Sequence, residues 1–246
     1  MLIRLYKLYN YLAILARLFI TFKPMKKSIK IFVIIIGVLW VFNAEAQKRI
    51  TEGTISYDIV VNTGDSKPSL AAMFDGATSI VYIKGFLSRS EMVSSLGIQS
   101  TIVDAKTGNV TVLKEYGEQK YMIKMTPDNW KDANKRYEGI VFEYKDEYKE
   151  IAGYKCQKAI GTMKDGTTIN VFFTKDLVAN NREFEYAYKS LPGLAMEYET
   201  IIGSLKVTYT VSKVNFSIVP ATKFELPKSG FRVMTYEESN NAGKTN

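Results

Sequence analysis

Glu183 and Glu185, and again Glu197 and Glu199, stand two residues apart, a spacing that sets each pair on one face of an extended strand. Paired carboxylates are the tools of glycoside hydrolysis, where one acts as acid and the other as base or nucleophile. Their neighbours argue against that use. Met196 and Tyr198 alternate with one pair, Phe184 and Tyr186 with the other, so the acids are assigned to the wet side of their strands. The single cysteine, Cys156, shares a strand face with Tyr154 and Ile160. A reactive thiolate needs a cation beside it. Lys155 falls on the opposite face and Lys158 is the one near candidate, so Cys156 reads as a small core hydrophobe.

Other chemistries fail on composition or context. The run Gly161-Thr162-Met163-Lys164-Asp165-Gly166 has the glycine spacing of a phosphate loop, but Thr167 stands where the lysine is needed and the run lies between strands. Gly243-Lys244-Thr245 has the right ending with no helix to follow. With no histidine, Ser-His-Asp and Cys-His nucleophiles and histidine zinc sites are excluded. One cysteine excludes an intramolecular disulfide, a CxxC pair and a cysteine-rich metal site. No S-x-x-K is present for a Ser-Lys nucleophile. Asn109-Val110-Thr111 and Asn215-Phe216-Ser217 match the glycosylation sequon, a pattern short enough to arise by chance. The expectation is a protein that is not an enzyme, with no catalytic, cofactor-binding or metal residues.

The first 46 residues read as targeting. Met25-Lys26-Lys27-Ser28-Ile29-Lys30 is a basic start, residues 31–42 are apolar, and Asn43-Ala44-Glu45-Ala46-Gln47 supplies an A-x-A exit. These are the three parts of a secretory signal peptide, with cleavage after Ala46. Residues 1–24 then read as translation from an upstream, mis-assigned start. The competing arrangement is a pair of short membrane segments, although the apolar run falls short of the roughly 20 residues that spanning requires. Removal of this leader takes seven of the 33 basic residues and one of the 25 acids, leaving a net charge of +2. That is no footprint for nucleic acid. No cysteine follows the exit to carry a lipid anchor, so the expected location is the periplasm or the exterior, with no membrane span after processing.

The elements that remain are mostly strands. Leu205, Val207, Tyr209 and Val211 alternate with Lys206, Thr208, Thr210 and Ser212. The same period of two runs through Ile55, Tyr57, Ile59 and Val61, through Tyr121, Ile123 and Met125, through Ile169, Val171 and Phe173, and through Phe184, Tyr186 and Tyr188. One wet and one buried face is the mark of antiparallel sheet. Asp165-Gly166 predicts a type I′ hairpin between residues 154–160 and 168–174. Turn residues at regular spacing predict about ten strands in one domain. The mixed-sign run 145–150 reads as a solvated loop or edge. Thr126-Pro127-Asp128-Asn129 opens a helix over 127–137 with Trp130, Ala133 and Tyr137 on one side. A weaker helix is expected over 68–74. The domain is expected over 47–236, with 237–246 as a flexible tail.

Sixteen Tyr and thirteen Phe leave two readings open. They fill a core, or they line a curved sheet too wide to close, able to hold an apolar ligand. Tyr57, Ile59, Ile123, Phe173, Val207 and Tyr209 are the candidate ligand-cavity residues, chosen because they lie on apolar strand faces.

The segments Ile151-Ala152-Gly153-Tyr154-Lys155-Cys156-Gln157-Lys158-Ala159, 168–178, Leu191-Pro192-Gly193-Leu194-Ala195-Met196-Glu197-Tyr198 and Phe224-Glu225-Leu226-Pro227 resemble uncharacterised secreted bacterial domains of the GLPGLI-related kind. Ser190 and Ala195 stand in place of the first glycine and last isoleucine of that motif. The resemblance covers most of residues 52–236. It implies a fold similar to the LolA/LolB lipoprotein carriers, a mainly β, strongly curved antiparallel half-barrel with one or two short helices at its mouth. It implies no catalytic residue. The function expected is a binding or carrier module for a lipid or other apolar ligand. The alternative is a structural or interaction protein of the cell envelope with a packed core and no ligand.

Overall fold

The computed structural model describes residues 47–62, 74, 76–202 and 205–242. The expected signal peptide, the upstream extension, nearly all of the weaker helix and the Gly243-Lys244-Thr245 motif lie outside the described residues. Gln47–Asn246 forms one compact unit. Two meanders build it. The first runs through β2 (Glu52–Asn62), β3 (Thr78–Lys84), β4 (Leu87–Ser94), β5 (Gly97–Asp104), β6 (Val110–Tyr116) and β7 (Gln119–Met125). The second runs through β8 (Val141–Ile151), β9 (Tyr154–Thr162), β10 (Thr168–Thr174), β12 (Leu194–Ile202) and β13 (Leu205–Asn215).

β13 pairs antiparallel with β2 and fuses the meanders, and the short β14 (Arg232–Thr235) joins β7 in parallel. The result is a 12-stranded, mostly antiparallel sheet that does not close into a barrel. Its edges are β14, only four residues long, and β8. β8 carries Lys145, Asp146, Glu147, Lys149 and Glu150 and a bulge between Tyr144 and Tyr148, all features that blunt an edge against further pairing. The mixed-sign run is therefore an edge strand. A separate parallel pair, β1 (Lys48–Ile50) with β11 (Leu177–Ala179), adds Ile50 and Leu177 to a core shared with Ile55, Ile83, Cys156, Leu194 and Met196.

Local chemistry explains the individual elements. On β13, Val207 and Val211 are buried while Lys206 and Ser212 are exposed, as period two requires. The 154–160 and 168–174 hairpin forms, with Thr162 opposite Thr168. Its turn is longer than a two-residue type I′. Only Gly166 takes positive φ (82°), and Met163 N and Thr167 O close the loop at 2.9 Å. Helix α1 (Pro127–Ala133) starts with reciprocal bonds: Asn129 N donates to Thr126 Oγ1 and Thr126 N donates to Asn129 Oδ1. The helix stops at Ala133, and Lys135–Tyr137 continues as a 3₁₀ turn.

Two further elements differ from the sequence reading. The polar tail is helical through Ala242. Thr235 caps α2 (Tyr236–Ala242), accepting from Glu238 N, while Glu238 Oε2 accepts from Thr235 N. That is the Thr-x-x-Glu capping box, a signal present in the sequence. α2 also touches α1, with Tyr236 OH donating to Asp132 Oδ2 at 2.9 Å. The second change concerns Glu183–Tyr188, which is a 3₁₀ segment and not a strand. Long-range anchors override its period of two. Asn181 Nδ2 donates to Phe86 O and Ser88 Oγ, and Asn181 Oδ1 accepts from Glu183 N, which pins the segment across β4.

Candidate functional site

A cleft of about 360 Å³ lies between the concave face of the sheet and two covering pieces, α1 with its 3₁₀ extension and the 3₁₀ segment Glu183–Tyr188. Cross-strand register shows why it is open. One row runs Tyr57, Ser79, Met92, Gln99 across β2 to β5, and the next runs Ile55, Val81, Ser90, Thr101. Ser79, Ser90 and Thr101 occupy the middle of the concave face, where larger side chains would fill the space beneath the helices. Beside them stands an aromatic wall. Tyr198 on β12 opposes Tyr209 on β13, their rings stacked at 5.2 Å and 10°. Tyr188 and Tyr57 meet Tyr198 at 4.9 and 5.9 Å. Trp130 and Tyr186, edge to face at 6.2 Å, form the outer wall.

Glu185 is the one carboxylate lining this cleft among the described residues. It is 7% exposed, and Arg182 Nε donates to its Oε1 at 2.6 Å while Ala195 N donates to Oε2. Burial lifts its carboxyl to about 7, against the opposing pull of the Arg182 guanidinium. The sequence reading placed Glu185 on a solvated strand face; the 3₁₀ path turns it inward instead. Glu183, its former partner, pairs with Lys189 at 3.2 Å. Glu197 and Glu199 stay on the wet side as expected, paired with Lys149 at 2.5 Å and Lys206 at 2.8 Å.

Arg182 does more than hold Glu185. Its terminal nitrogens donate to Tyr188 O, Leu191 O and Gly193 O at 2.7–3.0 Å, clamping the Leu191-Pro192-Gly193 turn. Gly193 is required there, because a Cβ would sit 1.8 Å from Thr174 O. The guanidinium is thus spent on the protein itself. Outside the Trp130–Tyr186 pair, a second groove of about 250 Å³ is bordered by Lys131 and Lys189, each paired with a glutamate.

The six sequence-chosen cavity residues separate. Tyr57 and Tyr209 line the cleft. Ile59 and Val207 pack with Phe74 and Ala77 in a neighbouring core cluster. Ile123 packs with Val103, Val110 and Met125, and Phe173 with Val171, Ala159 and Leu191. Sequence reasoning missed the serine and threonine positions, because small polar residues on a strand read as a wet face. Cys156 is fully buried and its thiol is pushed up to about 12 by that burial. Among the described residues no three His, Cys, Asp or Glu side chains gather as metal ligands would. No helix among them is long and apolar enough to cross a membrane.

No family model matches the chain, and no curated protein matches it. Among solved structures it is similar to an uncharacterised conserved protein from Thermus thermophilus, at 8% identity and a TM-score of 0.44, covering 82% of this chain and 98% of that one. It is similar to MucB at 10% identity and 0.38, covering 78% and 62%. It is similar to PNGF-II at 12% and 0.41, covering 75% of this chain but spanning only 30% of that protein's length. Likenesses at these scores assign neither a family nor an activity.

Proposed function

We propose that this protein is a non-enzymatic binding or carrier module of the cell envelope that holds an apolar ligand, such as an acyl chain, in the cleft. The observation that carries this reading is the cleft itself. A space of about 360 Å³ falls within the range of small-molecule sites, whereas a packed core leaves few voids larger than a water. Tyr57, Val81, Met92, Trp130, Phe184 and Tyr198 supply apolar surface on several sides. Export rests on the three-part leader from Met25 to Ala46.

Native mass spectrometry of protein purified without detergent tests the reading. The expected result is a co-purifying adduct of lipid-like mass, or uptake of an added fluorescent fatty acyl probe. A clean apo mass together with no uptake overturns it.

A further inference from the structure

Resting on that binding role, we propose that the cleft selects an uncharged amphiphile, an apolar chain bearing a hydroxyl, ester or amide group that hydrogen-bonds to Tyr57, Tyr188 and Tyr198. Two of these tyrosines are almost fully buried, Tyr57 at 4% and Tyr188 at 6% exposure, yet all three line the cleft. Their hydroxyls make no hydrogen bond to another described residue, in contrast to Tyr209, whose hydroxyl donates to Met92 Sδ at 3.5 Å. These side chains line a polar-and-apolar cleft, where a ligand group that hydrogen-bonds to a phenol takes the place of water. Burial raises these phenols, with smaller pushes from neighbouring tyrosines and from the Glu185 carboxylate, so they remain O–H donors across the neutral range.

The sheet face beside them is also polar without being charged. Ser79, Ser90, Gln99 and Thr101 offer further hydroxyl and amide groups. A bare hydrocarbon would leave these polar groups without partners. An anionic head fares worse. Arg182, the cation paired with the Glu185 that lines the cleft, already donates to that carboxylate and to three backbone carbonyls, and Glu185 itself repels a second carboxylate. Lys131 and Lys189 border the separate outer groove beyond the Trp130–Tyr186 pair, and both are paired.

Calorimetric titration at pH 8 with 1-monododecanoylglycerol and with dodecanoate, both below their micellar concentrations, compares one acyl chain with two heads. The proposal expects the glycerol ester to bind at least about tenfold tighter, and a Tyr57→Phe/Tyr188→Phe variant to lose about tenfold for the ester with little change for dodecanoate. Should the double variant fail to fold, each single variant carries the same test at about threefold. Equal affinities, unmoved by the phenylalanines, overturn the head-group proposal while leaving the apolar-ligand reading intact. Binding of neither compound overturns both.

Discussion

Arg182, at the N-cap of the 3₁₀ segment, and Glu185, three residues on within it, meet at 2.6 Å in the cover of the cleft, and the same guanidinium clamps three carbonyls of the following turn. Removing one member of a buried pair leaves an uncompensated charge and costs about 3–5 kcal/mol. Arg182→Ala is therefore expected to lower stability by about 3 kcal/mol or more in urea unfolding. Arg182→Lys is expected to recover little, since a single ammonium cannot reproduce the fork that reaches Tyr188, Leu191 and Gly193. A loss below about 1 kcal/mol for Arg182→Ala would show that the clamp is dispensable.

Stability should also depend on pH through Glu185. Its carboxyl is lifted from 4.5 to about 7 in the folded protein. Between those values the folded protein keeps a proton that the unfolded chain has released, so this group's contribution falls as pH rises through that window. The ion-paired or hydrogen-bonded carboxylates Glu52, Asp132 and Asp165 are held low and act in the opposite direction at more acid pH. The difference between the native chain and Glu185→Gln isolates the effect. Relative to Glu185→Gln, the native chain should weaken from pH 5 to pH 8. Parallel profiles would contradict the raised carboxyl.

Ser90→Leu places an apolar side chain in the open middle of the concave face, next to Val81 on β3 and Thr101 on β5. Filling a cavity commonly adds about 0.5–2 kcal/mol when the new side chain fits. The variant is expected to fold with unchanged or higher melting temperature and to lose uptake of an acyl probe. Undiminished uptake would place the ligand elsewhere.

Cys156 should behave as a hydrophobe. Its thiol is buried with Ile50, Leu177 and Met196 around it and is pushed up to about 12. Thiol reagents at pH 8 are expected to leave it unmodified in the folded protein and to label it fully in urea. Rapid labelling of the native state would contradict that burial.

Much of the fold was legible because one-sided burial writes itself into the sequence with a period of two. Val207, Tyr209 and Val211 declare their face, and Thr126-Pro127 declares the start of α1. The segment Glu183–Tyr188 shows where this fails. Its alternation is as regular as that of a strand, but the side chains of Asn181 and Arg182 tie it to β4 and to the 188–193 turn, and no local pattern encodes those partners. The cleft was only half visible for a related reason. Tyr57 and Tyr209 were found by searching apolar faces, whereas the space they border exists because Ser79, Ser90 and Thr101 are small. Polarity on a strand signals water, and here the wet side is an interior.

Trp130 offers the most direct test that this interior holds an apolar ligand, because it lines the cleft and its indole Nε1 is buried without a partner among the described residues. The sequence has two tryptophans, and Trp40 belongs to the leader, so protein beginning at Gln47 carries Trp130 as its single tryptophan. An acyl glycerol brominated along its chain quenches only a tryptophan it touches. Titration should quench Trp130 saturably at micromolar ligand, and Ser90→Leu should abolish the effect. Trp130 emission that stays constant, or that falls equally in Ser90→Leu, would show that the cleft does not hold the acyl chain.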